Sequence, residues 1–230
     1  MKKTIGIIGG MTPKSTALIY NNIIDSYQKK YNDYGFPEIL IYSVSFQNYI
    51  SWMQNGNWDA IADALIKVVH SLHNAGADFC IISTNTMHKI YDRIEKKSPI
   101  PMLNIIDAVA DEITSFGIKK VTLLGTRYTM SDTFYKEGLK KYGIDTIVPD
   151  KQDIDVINNI IFEELGKEII NNDSKKKIIN IIKYLNLKGS EGVILGCTEL
   201  PLIINEENSP TKIFDSVKIL SSKALMYSLK

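Results

Sequence analysis

Short apolar runs that stop at small or polar residues alternate along this chain with longer stretches in which apolar residues recur every three or four positions. The first pattern suits strands buried on both faces, and the second suits helices that turn one face to a core. Strands are predicted at Thr4–Ile8, Ile39–Val44, Phe79–Ser83, Val121–Leu124, Thr146–Val148, Val193–Leu195 and Ile213–Phe214. Between them the spacing predicts helices over Lys14–Lys29, Trp58–Asn74, Ile105–Phe116, Ser131–Tyr142, Ile154–Ile170, Lys175–Leu185 and Val217–Leu229; the series Ile61, Leu65, Val68, Leu72 shows the helical period. Strand and helix in alternation give an α/β fold with mainly parallel sheets.

Two of the strand ends carry matching polar tips: Ser83-Thr84-Asn85-Thr86 after Phe79-Cys80-Ile81-Ile82, and Cys197-Thr198-Glu199 after Gly192-Val193-Ile194-Leu195-Gly196. Upstream of each lies a similar first strand, ending at Gly9 and at Gly125. Thr84 follows Gly9 by 75 residues and Cys197 follows Gly125 by 72, so the chain reads as a weak duplication of two α/β lobes. Pro99 and Pro101 interrupt any helix and mark the boundary. The division predicted is 1–101 plus 212–230 for the first lobe and 102–211 for the second, with the C-terminal helix returning to the first lobe. Open parallel sheets bind ligands at the C-terminal edges of their strands. The active site is therefore expected in the cleft between the lobes, with Thr84 and Cys197 facing it from opposite sides.

Composition narrows the partners. The 230 residues are 44% hydrophobic, enough for a substantial core, and 27 basic against 26 acidic side chains leave a net charge of +1. Such a balance supplies no drive toward nucleic acid or an anionic membrane. Gly9-Gly10 and Pro13-Lys14 break the apolar opening before it resembles a signal peptide, and no run reaches the roughly 18 apolar residues that cross a bilayer. The chain is accordingly expected in the cytoplasm, and two cysteines in a reducing compartment speak against a structural disulfide. Lys175-Lys176-Lys177 reads as a solvated helix face.

The two thiols differ in setting. Cys80 sits inside an apolar run, where a free cysteine behaves as a small hydrophobe. Cys197 follows a strand and precedes a helix predicted to start near Glu199–Pro201, whose amide groups and dipole would favour a thiolate; the alternative is a packing thiol. His88 either orients a substrate or caps backbone groups. His70 and His73 lack a third ligand at metal-site spacing, so no metal is predicted. Gly6-Ile7-Ile8-Gly9-Gly10-Met11 matches neither glycine-rich nucleotide fingerprint, but a tight turn before Thr12-Pro13 suits a carboxylate. Arg127 supplies either charge at the equivalent turn of the second lobe or an ion pair.

Ile5-Gly6-Ile7-Ile8-Gly9-Gly10-Met11, Thr84-Asn85-Thr86-Met87-His88, Leu123-Leu124-Gly125-Thr126, Gly196-Cys197-Thr198-Glu199 and Ile213-Phe214-Asp215, in this order, resemble the aspartate/glutamate racemases over nearly the whole chain. Thr84 to His88 together with Gly125-Thr126-Arg127-Tyr128-Thr129-Met130 resemble in particular the bacterial L-aspartate/glutamate-specific branch. The resemblance implies a two-lobed, cofactor-independent racemase, a homodimer acting on a small acidic amino acid. It implies a cysteine at each lobe tip, one removing the α-proton and the other returning one. Cys197 matches the second cysteine, acting on the L enantiomer, and Thr84 stands in place of the first. A threonine hydroxyl is a poor base at neutral pH, so exchange is expected to be lopsided. Gly10, Met11, Gln54, Asn85, Thr86, Thr126, Thr198 and Glu199 are the implied substrate contacts. The family's arginine after the second strand is missing from Ser45-Phe46-Gln47-Asn48, and Gly166-Lys167 leaves its lysine unassigned. A single-cysteine decarboxylase or lyase of the same superfamily and a non-catalytic amino-acid sensor are the other two readings.

Overall fold

The computed structural model describes residues 2–230 and resolves the alternation into two parallel four-stranded sheets flanked by helices. The first unit runs to Ile105 and takes in Val217–Lys230; the second is Ile106–Ser216. In the first, β1 (Ile5–Gly9), α1 (Pro13–Tyr31), β2 (Ile39–Ser43), α2 (Phe46–Gln54), α3 (Trp58–Asn74) and β3 (Phe79–Ile82) are followed by a 3-10 segment, Thr86–Ile90. That segment leads into α4 (Tyr91–Glu95) and β4 (Met102–Leu103), and α5 (Ile105–Ser115) crosses to the second unit. There β5 (Lys120–Gly125), α6 (Arg127–Ser131), α7 (Phe134–Lys140), β6 (Asp145–Ile147), α8 (Lys151–Asn159), α9 (Asn172–Leu187), β7 (Gly192–Gly196) and β8 (Lys212–Asp215) precede the C-terminal α10 (Ser216–Ser228).

The sheets repeat one topology. Strand order is β2-β1-β3-β4 in the first and β6-β5-β7-β8 in the second, all parallel. The inner strands β1, β3 and β7 are buried throughout and β5 nearly so, which is why they read as unbroken apolar runs. The outer strand β2 is half-buried to exposed. In the first unit, Ile61, Leu65, Val68, Val69 and Leu72 of α3 join Ile8, Cys80 and Ile82 in one apolar cluster. In the second, Ile178, Ile182 and Leu185 of α9 join Leu124, Val193 and Leu195. Each such side chain contributes roughly 1.5–3 kcal/mol by leaving water.

The division between units differs from the one predicted, for a reason visible in the pairing. β4 is hydrogen-bonded to β3, and β8 to β7, so each sheet keeps its fourth strand and the boundary falls beyond it. β4 has only two residues and follows Pro101, too short a run to declare itself. α10 does belong to the first unit, where Lys3 N–H donates to the Ser228 carbonyl at 2.8 Å and Tyr227 packs edge-on to Phe79. The helix expected over Ser131–Tyr142 is broken at Asp132, whose extended backbone separates α6 from α7. The one expected over Ile154–Ile170 passes from α8 into a π turn, Ile160–Glu164, and a 3-10 turn, Leu165–Lys167, and stops at Glu168 in the left-handed region.

Glycine at the strand ends lets the following helix approach. A Cβ on Gly9 would lie 2.4 Å from Thr16 Cγ2 and 2.6 Å from its Oγ1, and one on Gly10 would lie 2.3 Å from the Val44 carbonyl oxygen. Gly10 also has φ of 93°, a conformation that favours glycine. Gly125 and Gly196 leave the same room for Thr129, 3.1 and 3.2 Å from where their Cβ atoms would stand. Gly9→Ala is expected to destabilise the protein by roughly 1–3 kcal/mol through overpacking. Adding Thr16→Ser, which removes the methyl and keeps the hydroxyl, should return part of that loss. Strict additivity of the two changes in urea unfolding would contradict the packing account.

Candidate active site

The paired registers place the two tips at the same level in their own sheets. Ile8 is opposite Ile82 in the first sheet, and Leu124 is opposite Leu195 in the second, with Gly125 opposite Gly196 one step further. Counting outward from these pairs, Gly9 corresponds to Gly125, Ser83 to Gly196, and Thr84 to Cys197. Both Thr84 and Cys197 are partly buried, whereas Cys80 is fully buried in the core with its thiol pushed up to about 12 by burial.

In the first unit the turn after β1 is held by hydroxyl groups. Thr12 caps α1, its side chain accepting from Ser15 N–H, and Pro13 supplies a helix-compatible start. Gly10 N–H donates to Thr16 Oγ1 at 2.9 Å, and that hydroxyl lies 3.3 Å from Ser83 Oγ. The Gly10 amide predicted to receive a carboxylate is thus already donated within the turn, and Met11 packs into the apolar cluster.

Beyond Thr84 the chain tightens at once into the 3-10 segment, and buried Asn85 accepts His88 N–H at its carbonyl. His88 is buried as well. Its Nε2 accepts Ile105 N–H at 3.1 Å, which leaves the ring proton on Nδ1 to be donated to the Thr84 carbonyl, 2.9 Å away. Burial lowers its pKa from 6.5 to about 4, and the imidazole stacks on Tyr91. His88 therefore holds the Thr84 backbone, the capping alternative of the two readings. Thr86 opens the 3-10 segment, while Gln54 is the exposed last residue of α2, and among the described residues no hydrogen bond ties it to the tips.

In the second unit Thr126 caps α6, accepting from Thr129 N–H as Thr12 does from Ser15. After Gly196 the Cys197 Sγ stands 2.8 Å from Glu199 Oε2, and Thr198 Oγ1 donates to the same oxygen at 2.7 Å. The helix expected to lower the thiol's pKa is a single 3-10 turn, Leu200–Leu202, with almost no dipole to offer. Instead, burial and then the neighbouring Glu199 carboxylate raise Cys197 well above its ordinary range, against a weaker opposing pull from the Thr198 and Glu199 amides. Cys197 consequently rests as a thiol that donates to Glu199, not as the thiolate expected from the sequence.

The two cations that the sequence raised in this unit are engaged. Arg127 pairs with Asp155 at 2.8 Å, the ion-pair alternative, and Lys167 pairs with Glu163 at 2.5 Å. A cavity of about 520 Å³, bordered by Arg127, Tyr128, Asn158 and Phe162, lies in this unit apart from Cys197 and Glu199. Among the described residues no group of three His, Cys, Asp or Glu side chains is arranged to hold a metal, and no helix is long and apolar enough to cross a membrane.

The sequence profile of the Asp/Glu/Hydantoin racemase family matches residues 8–224. The chain belongs to this family. It is 28% identical to the broad-specificity amino-acid racemase RacX of Bacillus subtilis (strain 168), over 96% of each chain. An aspartate racemase homologue from Pyrococcus horikoshii OT3 superposes with a TM-score of 0.89 at 40% identity, covering all of both chains. A Yersinia pestis structure described as a candidate Asp/Glu racemase gives 0.94 at 39% identity, over 99% of this chain and all of that one. In this racemase-family member the Cys197–Glu199 contact is the feature the sequence did not announce. Its only signal is a carboxylate two residues after a strand-end thiol.

The buried imidazole makes a pH prediction. His88 stays neutral in the folded chain down to about pH 4, while the unfolded chain takes up a proton below about 6.5. Its contribution is complete above pH 6.5 and is lost as pH falls toward 4, by about 1.4 kcal/mol per pH unit and about 3 kcal/mol in all. Urea unfolding across pH 4–7 should show His88→Gln lacking this slope; parallel curves would contradict the assignment.

Proposed function

We propose that the chain is a cofactor-independent racemase of acidic amino acids, aspartate or glutamate, that favours the L enantiomer. Family membership and the named racemase relatives support the reaction class. The observation that carries the directional part is the matched register, which makes Thr84 and Cys197 equivalent strand-end positions with unequal chemistry. In this reading Cys197 sulfur takes the α-proton of the L substrate, and the Thr84 hydroxyl delivers a proton to the opposite face and recovers one from water. A thiol ionises far more readily than an alcohol, so the reverse route from the D substrate is the slower one. Asn85, Thr86, Thr126 and Thr198 are proposed to orient the α-carboxylate and amino group, with Met11 beside them. Cytoplasmic location and a homodimer belong to the same proposal.

The missing thiol at position 84 also favours a second reading, a lyase that protonates a carbanion from one side only. Incubation with L-glutamate and L-aspartate in deuterated buffer separates the two. Racemisation gives α-deuterium with some D product, and the lyase instead releases carbon dioxide from an arylmalonate. Cys197→Ala is expected to lower α-exchange of the L substrate by about 10²–10⁴-fold, the usual worth of a positioned acid or base. Thr84→Cys, which supplies a second thiol, should speed reaction of the D enantiomer. Unchanged exchange in Cys197→Ala would rule out the assigned base.

A further inference from the structure

We propose that Glu199 is the proton carrier for Cys197: its carboxylate takes the thiol proton to generate the working thiolate and later passes that proton to solvent. This rests on the reading of Cys197 as the base and goes beyond it, because Glu199 is moved from the substrate contacts to the proton path. The geometry points to one oxygen. Cys197 Sγ is 2.8 Å from Glu199 Oε2, and Thr198 Oγ1 reaches the same atom at 2.7 Å. The two preceding side chains thus fold the carboxylate back over its own turn, and the turn itself is pinned by Leu200 N–H to the Cys197 carbonyl and Leu202 N–H to the Glu199 carbonyl.

A partly buried thiol beside a carboxylate cannot ionise cheaply by releasing its proton to water, since that would leave two anions in contact. Transfer within the pair avoids this. The S–H bond breaks, the Oε2–H bond forms, and the single negative charge moves from oxygen to sulfur without a second charge entering the site. The thiolate then takes the α-proton, breaking C–H and forming S–H, while the donor on the opposite face supplies the new C–H. Glu199 loses its proton to water, and the resting thiol and carboxylate are restored. The Thr198 hydroxyl keeps Glu199 aimed at the sulfur in both states.

Two readouts that move in opposite directions test this. Glu199→Gln is isosteric and retains an oxygen acceptor for both donors. Without the carboxylate charge the sulfur should ionise more readily, so iodoacetamide at pH 7.5 should alkylate Cys197, counted on its own peptide, about tenfold faster than in the wild type. α-Deuterium incorporation into L-glutamate or L-aspartate should nevertheless fall at least tenfold. Glu199→Asp keeps a charged acceptor and should retain more exchange than Glu199→Gln. Exchange within twofold of wild type in Glu199→Gln, or alkylation no faster than in the wild type, would overturn the proposal. If the wild type exchanges no α-hydrogen at all, the racemase reading fails, and the alkylation rate alone decides whether the carboxylate governs the sulfur.

Discussion

The parallel pairing of the first and third strands in each sheet sets where Thr84 and Cys197 leave their strands. Because β1 and β3 run in one register and β5 and β7 in the same one, Thr84, two residues past the last pair of its sheet, and Cys197, one past the last pair of its own, stand at equivalent heights. A one-residue slip would turn every side chain of a strand to the other face and carry the strand-end glycines away from the threonines that pack on them. Threonines from the following helices lock these ends by packing against glycines that any larger residue would displace. Position 83 breaks the symmetry: serine there touches Thr16 through its hydroxyl, where Gly196 only makes room for Thr129.

What the repeated scaffold presents is unequal. Thr84 is held through its carbonyl by a neutral, buried imidazole, an uncharged hydrogen bond that places no charge from His88 near the hydroxyl. Cys197, its pKa raised by burial and then by the Glu199 carboxylate, donates a hydrogen bond to that carboxylate. One tip is therefore fixed in place by a backbone clamp, and the other is tuned by a charged neighbour. Two similar platforms thus carry different chemistry.

Long-range burial was legible in the sequence, and local geometry was not. The period of Ile61, Leu65, Val68 and Leu72 gave α3 at its observed bounds, and the inner strands announced themselves as apolar runs. α2 is absent from the prediction although Phe46, Tyr49 and Met53 recur at helical spacing, because the run is only nine residues long and buries Tyr49 alone. β4 is two residues long, and its pairing depends on a partner distant in sequence. The polar tips and their equivalence followed from spacing. The state of Cys197 did not, because it depends on how far a turn continues as helix and on where the Glu199 side chain folds, neither of which is encoded in periodicity. For His88 the sequence leaves substrate orientation and backbone capping open, because its partner Ile105 lies beyond the proline loop.

The central claim is that thiol and hydroxyl perform separable halves of one proton exchange. Thr84→Val, nearly the same in shape but without the hydroxyl, measured with L-glutamate and L-aspartate in deuterated buffer, tests it most directly. The account predicts that α-deuterium still enters the L substrate while formation of the D enantiomer collapses. Equal loss of exchange and inversion, or inversion at the wild-type rate, would contradict it.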